Sequence, residues 1–312
     1  MAMIPLAVVA ALGVRYLLSR FSGRQCLALL GLLLALGLID LARPQLAVLV
    51  DDTPAVYASL AHEQGTLLVL PLNSGTLAGK SASLRAQMVH GRPIIGGYAT
   101  RQPDYPLVRG APLMSQLNRL DCDGDTIPPV DATMARSALA YYQIRQIVVH
   151  TERLSEGEER CVQIWLEGRL GWQPERIVGP VRLYTAPPFA AQPFVFLDRG
   201  WHDIEEVDGR RWRWMTEQGR MYLVNPADHP QSFALRLGLE SFTSPRRVHI
   251  VLNGQSYGDI VVTPAGIRTY TLLLTLEPGQ HHMQLEATTA QDPHAQRPIS
   301  IAIEAVDVVS LR

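Results

Sequence analysis

The sequence predicts an α/β plus all-β protein with three parts. These are an N-terminal hairpin of two transmembrane helices (residues 1–42), a small α/β domain with a mixed or partly parallel sheet (43–188), and a C-terminal, jelly-roll-like β-sandwich (192–312). Three observations lead to this division. The first 42 residues are strongly apolar, helix and strand patterns then alternate, and after residue 192 only short strand patterns remain.

Composition narrows the classes of partner. The chain has 312 residues, enough for a buried core, and 47% of them are hydrophobic while 18% are charged. The formal net charge is −1 and the arginines are interspersed with acidic residues, so we expect no nucleic-acid partner. The cysteines are Cys26, Cys122 and Cys161, and the sequence leaves open whether the last two form a disulfide.

The N-terminal region carries two apolar stretches, Met1–Val14 and Cys26–Ile39. The loop between them contains Arg15, Arg20 and Arg24 and no acidic residue, which predicts that the loop stays cytoplasmic and that the chain after it lies outside the cell membrane. A cleaved signal peptide is the alternative, but its apolar core follows its basic residues rather than preceding them. The apolar start also indicates the tail of a longer polytopic protein, with the lipid bilayer as a partner.

Between residues 43 and 188, helix patterns alternate with strand patterns. The clearest strands are Thr66–Leu72 and Ile144–His150, and Asp131 is a candidate N-cap for a helix that runs to Tyr142. This alternation predicts a mixed or partly parallel sheet covered by helices.

From residue 192 onward, short alternating segments are separated by turn signals, which predicts a β-sandwich. The pair Asn253-Gly254 lies between two such segments and predicts a hairpin. Trp212 and Trp214 share strand parity, so their side chains point to one face, where they can stack on sugar rings. Alternatively, the two tryptophans fill the core or an edge of the sandwich.

Three motifs resemble known sites without meeting their requirements. Gly75–Ser81 has three residues rather than four between its glycines, so it does not make a phosphate-binding loop. Asp121–Asp125 places its glycine wrongly for a calcium-binding EF-hand loop. The histidines lack the neighbours that zinc sites and catalytic triads need. We therefore predict no catalytic residue, no metal site and no cofactor.

The segment Gln87–Arg101 resembles a stretch in the C-terminal outer region of bacterial GT-C type membrane glycosyltransferases, which are similar to mannosyltransferases that use lipid-phosphate sugars. A Leu-Pro-Leu strand end precedes that stretch in the family, as at Leu70–Leu72, and a strand like Ile144–His150 follows it. Further matches are Leu183-Tyr184, Gly200-Trp201 and Arg211–Trp214. The resemblance covers most of the chain after Arg43 and implies sugar transfer from a polyprenyl-phosphate carrier. The family's catalytic carboxylate lies in an earlier outer loop, so no catalytic residue is carried over.

Within the resembling segment, a ligand-facing patch is predicted at His90, Arg92, Tyr98 and Arg101. Glycine-rich flanks let polar side chains and backbone approach a ligand, and arginine can pair with a carrier phosphate through two hydrogen bonds. The alternative is an internal hydrogen-bond network that orders the α/β domain.

Three functional hypotheses follow, the third being an enzyme that acts alone and whose activity would depend on His90 or His150. The first is the non-catalytic C-terminal part of a membrane glycosyltransferase-like protein, whose outer domains position a glycan or a polyprenyl-phosphate-linked sugar acceptor. The second is a stand-alone, membrane-tethered carbohydrate-binding or scaffold protein that binds glycans through Trp212 or Trp214.

Overall fold

The computed structural model describes residues 12–13, 15–16, 20, 23–42, 53–72, 77–95, 105–122, 126–294 and 296–311. Internal contacts divide the chain into two units, Met1–Asp52 and Thr53–Arg312. Helix α1 belongs to the first unit, and the other helices belong to the second. The helices are α1 (Gly23–Ala42), α2 (Val56–Ser59), α3 (Leu77–His90), α4 (Pro106–Gly110), α5 (Met114–Arg119), α6 (Ala132–Tyr141) and α7 (Glu156–Gln163).

The predicted transmembrane hairpin is wrong. No helix among the described residues is long and apolar enough to cross a membrane. Helix α1 has 20 residues, but Arg24 and Asp40 stand near its two ends. The apolar run Cys26–Ile39 between them would extend about 21 Å at 1.5 Å per residue, short of the ~30 Å hydrocarbon core of a bilayer. Most of the predicted first helix, Met1–Val14, lies outside the described residues.

The first sheet of the second unit is mixed. Its strands lie in the order β2-β1-β3-β5-β4. β1 pairs in parallel with β2 and β3, whereas β5 is antiparallel to β3 and β4. β3 is buried at six of its seven positions, as expected for a strand with both faces covered. The strands are β1 (Thr66–Leu70), β2 (Ile94–Ile95), β3 (Ile144–His150), β4 (Arg176–Val178) and β5 (Val181–Thr185).

Side-chain caps begin two of the helices that pack on one face of this sheet. Asp131 accepts a hydrogen bond from the backbone N–H of Met134 at 2.7 Å, which confirms the predicted N-cap of α6. Helix α7 begins with a reciprocal capping box between Ser155 and Glu158. It continues into a π-helical turn, Ile164–Arg169, which buries Trp165 and Leu166 in the core of this layer.

A disulfide joins Cys122 to Cys161, 39 residues further along the chain, and settles the pairing that the sequence left open. It ties the segment before residue 123 to helix α7. Two hydrogen bonds run in parallel with the disulfide: the indole N–H of Trp165 donates to the carbonyl of Asp121 at 2.9 Å, and Arg169 donates to the carbonyl of Cys122 at 3.2 Å.

The predicted sandwich consists of two five-stranded sheets. One has the order β13-β10-β17-β8-β7 and the other β12-β11-β14-β9-β6, and the pairings within both are antiparallel. Alternate residues of both sheets fill the core between them, and a short β15–β16 pair stands beside them. The strands are β6 (Phe194–Leu197), β7 (Trp201–Val207), β8 (Arg210–Met215), β9 (Gln218–Asn225), β10 (Gln231–Ser241), β11 (Arg246–Leu252), β12 (Gln255–Val262), β13 (Arg268–Leu276), β14 (Gly279–Glu286), β15 (Ala290–Gln291), β16 (Pro298–Ile299) and β17 (Ile301–Ser310).

Asn253 and Gly254 form the turn between β11 and β12, both with positive φ, as predicted. Strand β6 joins the sandwich to the α/β layer. Val195 lies in the sandwich core, whereas its neighbours Phe194 and Phe196 lie in the core of the α/β layer. Because side chains alternate along a strand, one strand serves both cores.

A bulge interrupts the pairing of β10 with β17. Gly238 faces Ala305 and Leu239 faces Ile303, so Glu304 is an extra residue on β17. Val306 and Ile303 both point into the core although three positions separate them, because the extra residue resets the alternation.

Candidate functional site

The outward face of the β8 sheet carries a groove. Met215, the last residue of β8, is fully buried in the sandwich core. Alternation therefore turns Trp214, Trp212 and Arg210 to the opposite, outward face. The shared face predicted for the two tryptophans is thus an outer surface of the sandwich, and not its core.

Strand register assembles the groove. Trp214 faces Ala302 on β17, and Ala302 in turn faces Glu240 on β10. An indole and a carboxylate therefore stand two strand spacings apart, about 10 Å, with a single methyl group between them. The small side chain of Ala302 leaves the space that larger residues would fill. The groove has a volume of about 430 Å³ and is lined by Arg210, Trp212, Trp214, Glu240, Ser241, Phe242, Thr243, Pro264, Ile267 and Ala302.

Trp214 is fixed in place by a hydrogen bond and an aromatic contact. The indole N–H of Trp214 donates to Glu205 at 3.3 Å, and its ring meets Phe242 edge-on with centroids 5.5 Å apart. Glu205 is held in turn by an ion pair with Arg297. The N–H of Trp212 is buried and makes no hydrogen bond within the described part of the chain. Both indole rings are partly buried, and that of Trp214 is held by packing and hydrogen bonding, an arrangement suited to stacking.

Arg210 lies over the second indole. Its Cζ is 5.9 Å from the ring centroid of Trp212, within the range of a cation–π contact. It donates to Glu304 at 3.0 Å and lies 3.8 Å from Glu240. The hydrogen bond with Glu304 raises the pKa of Arg210, so the guanidinium stays charged.

The predicted His90 patch lies elsewhere. His90 and Arg92 are buried, and Tyr98 and Arg101 lie outside the described residues. Arg92 donates to the carbonyls of Gly65 (3.1 Å) and Gln64 (2.9 Å) and to the side chain of Gln146. His90 accepts from the backbone N–H of Arg92 at 3.1 Å. These contacts are internal to the α/β layer, and ligand binding by His90 and Arg92 stays a prediction.

A second buried polar group adjoins this patch. Tyr57 stacks between His90 and His150, with ring centroids 5.7 and 5.9 Å away, and its hydroxyl is 2.7 Å from Nε2 of His150. Nδ1 of His150 is 2.9 Å from Glu152. Burial lowers the pKa of both histidines and raises that of Tyr57. The tyrosine is almost fully buried, so we assign this group to stability.

Sequence reasoning found the two tryptophans and missed their neighbours. Strand parity alone would have added Arg210, two residues before Trp212. Glu240, Phe242 and Ala302 come from strands that are distant in sequence, and only the sheet order brings them to β8. No cluster of three or more metal-ligating side chains occurs among the described residues.

No protein-family profile matches the sequence, and no curated protein matches it. Similar solved structures include a family 35 carbohydrate-binding module from Clostridium thermocellum (19% identity, 38% of this chain and 92% of that chain, TM-score 0.27). A second is the C-terminal family 6 module of a laminarinase from Zobellia galactanivorans (12% identity, 37% of this chain and 90% of that chain, TM-score 0.27). A third is a family 35 module from Paenibacillus barcinonensis (8% identity, 39% of this chain and 100% of that chain, TM-score 0.27). At these TM-scores and identities, the similarities carry no inference about ligand or activity. These structures are not glycosyltransferases, and the resemblance to that family stays an interpretation.

Proposed function

We propose that this protein binds glycans in the groove of the β8 sheet. The observation that carries the proposal is the pair Trp212 and Trp214, held on an outward sheet face beside Glu240. Sugar rings present an apolar C–H face and a rim of hydroxyl groups. Indole rings match the first by stacking, while carboxylate and hydroxyl side chains match the second by hydrogen bonding.

The dimensions of the groove support the same class of ligand. A volume of about 430 Å³ lies within the range of roughly 300–1,000 Å³ that is typical of small-ligand sites. The lining combines apolar and polar groups: Pro264 and Ile267 on one hand, Ser241 and Thr243 on the other. The described residues offer no observation that favours a glycosyltransferase part, so the proposal is restricted to binding.

A glycan panel followed by calorimetry tests this function. Trp214→Ala and Trp212→Ala should each weaken binding of the selected glycan several-fold, up to about tenfold, since losing one stacking surface costs about 0.5–1.5 kcal/mol. Tyr257→Ala is the matched control, because Tyr257 is an exposed aromatic residue on β12 of the other sheet. Circular dichroism should confirm that all three variants fold. If no glycan binds, or if the tryptophan variants bind as tightly as the parent, the proposal fails.

The disulfide supports a proposal about location. Disulfides persist mainly in oxidising compartments, so Cys122–Cys161 favours a site of action outside the reducing cytoplasm. Alkylation of the protein in freshly lysed native cells tests this, followed by peptide mass spectrometry. We expect Cys122 and Cys161 to resist alkylation until a reductant is added. Two freely alkylated thiols would contradict the proposed location.

A further inference from the structure

Arg210 acts as an internal cation in the candidate groove. Its guanidinium lies against the indole of Trp212 and between two carboxylates, Glu304 at 3.0 Å and Glu240 at 3.8 Å. An aromatic face flanked by carboxylates is a general binding site for a cation. The side chain that fills this site comes from the protein itself.

The charges around the groove disfavour an anionic ligand. Within the described part of the chain, Glu240 and Glu304 both pair with one cation, Arg210, while Glu205 pairs with Arg297, which also lies near Asp292. A uronate or sulfated sugar would have to approach two carboxylates that are only partly compensated. A ligand that carries a positive charge would instead be attracted by the two carboxylates.

Arg210 can also leave at little cost. Its side chain is 54% exposed, so its ion pairs are largely solvated, and surface ion pairs of this kind add little to stability. A ligand cation that competes for Glu240 and Glu304 therefore displaces the guanidinium of Arg210 at a small cost in free energy. Once released, the long arginine side chain can remain in water.

On the basis of the proposed glycan-binding function, we propose that the groove selects glycans with free amino groups, such as oligomers of glucosamine. The sugar ring stacks on Trp214, and its ammonium group replaces the guanidinium of Arg210 between Trp212 and the carboxylates of Glu240 and Glu304.

Calorimetry with three oligosaccharides of equal length and linkage tests this selectivity: β-1,4-linked tetramers of glucosamine, N-acetylglucosamine and glucose. At about pH 6 the amines are protonated, and we expect the glucosamine tetramer to bind at least about tenfold more tightly than the other two. This advantage should shrink at high salt and disappear when the pH is raised until the amines lose their protons.

Variants give the sharpest test. Glu240→Gln with Glu304→Gln should abolish the preference for glucosamine. Arg210→Ala should strengthen glucosamine binding several-fold, because it removes the internal competitor, whereas an arginine that contacts the ligand would weaken binding when removed. Arg236→Ala is the matched control: Arg236 has the same 54% exposure, is paired with Asp307, and does not line the groove.

The outcomes separate the two proposals. If a neutral or acidic glycan binds through Trp212 and Trp214 as tightly as the glucosamine tetramer, the selectivity is wrong and the glycan-binding function stands. Weaker glucosamine binding in Arg210→Ala would likewise overturn the selectivity alone. If no glycan of a broad panel binds, both proposals fail.

Discussion

The guanidinium of Arg109 forms an ion pair with the carboxylate of Asp198, and the pair links helix α4 of the α/β layer to the residue that follows β6 of the sandwich. The side chain of Asp198 is 0% exposed, whereas that of Arg109 is 29% exposed. Removing Arg109 therefore leaves a buried carboxylate, whereas removing Asp198 leaves a guanidinium that can reach water.

Arg109→Ala should destabilise the protein by about 3 kcal/mol, because it leaves a carboxylate buried without its counter-ion. Asp198→Ala should cost less, since Arg109 can reach water. The measurement is the free energy of unfolding in urea. Arg247→Ala is the control: it breaks the pair with Asp259, and since the side chain of Arg247 is 77% exposed, we expect a much smaller loss. Equal losses in the Arg109 and Arg247 variants would contradict this account.

The buried histidines make stability depend on pH. Burial lowers the pKa of His150 and of His90 below their ordinary value of 6.5, so the folded state resists protons that the unfolded state accepts. The contribution of the two neutral histidines to the free energy of unfolding is therefore fully present above pH 6.5. It is lost as the pH falls below 6.5 and through the lowered pKa values of the folded state. For His150, Arg153 adds to the effect of burial, while Glu152 opposes it.

Urea unfolding between about pH 5 and 7.5 measures this dependence. The free energy of unfolding should fall below pH 6.5 in the parent protein, and the decline should be shallower in His150→Gln. An unchanged slope in His150→Gln would remove this explanation.

The disulfide should contribute about 3–4 kcal/mol to stability, the value expected for a closed loop of roughly 40 residues. Replacing Cys122 and Cys161 together by serine should therefore lower the melting temperature by several degrees. Dithiothreitol should lower the melting temperature of the parent by a similar amount and leave that of the double variant unchanged. If dithiothreitol also lowered the melting temperature of the double variant, the Cys122–Cys161 disulfide would not be the cause of the change.

Gly200 stands where no side chain fits. Its φ is +86°, and a Cβ at this position would come within 1.7 Å of the carbonyl oxygen of Gln218. Gly209 also has positive φ, at +77°, but a Cβ there would meet nothing within 4 Å. Gly209→Ala should thus cost only the conformational strain, about 1 kcal/mol, and Gly200→Ala clearly more. The free energy of unfolding in urea, measured for both variants, separates the cost of the steric clash at Gly200 from the cost of the backbone conformation. Equal losses of unfolding free energy in the two variants would exclude a clash at Gly200.

The elements that could be predicted from sequence are those with local causes. Strand β3 has the predicted bounds Ile144–His150, Asp131 caps its helix, and Asn253-Gly254 makes the hairpin turn. Periodicity, capping and turn chemistry all act within a few residues. The capping box of Ser155 was equally local and was overlooked.

What could not be predicted depends on sheet order. The parity of Trp212 and Trp214 fixed their common face, but which face became the core depended on how β8 pairs with β17. Glu240 joins the groove only through β10, two strands away. The pairing of Cys122 with Cys161 is likewise a long-range contact, which spacing alone does not determine. The membrane prediction failed for another reason: the apolar run Cys26–Ile39 has only 14 residues, and the presence of a second apolar stretch does not make up for that short length.

The bulge at Glu304 bears on how relatives of this chain can diverge. Since Glu304 is one residue more than β10 requires, its deletion would leave Ile303 and Val306 pointing into the core as before. Elsewhere in β17, losing one residue would move the side chains of all following residues to the opposite face of the sheet. At this position, a change in chain length removes the carboxylate that pairs with Arg210 while sparing the scaffold. Under the proposed glycan-binding function, a gap of one residue here among homologous chains should therefore mark a change of preferred glycan rather than a loss of fold.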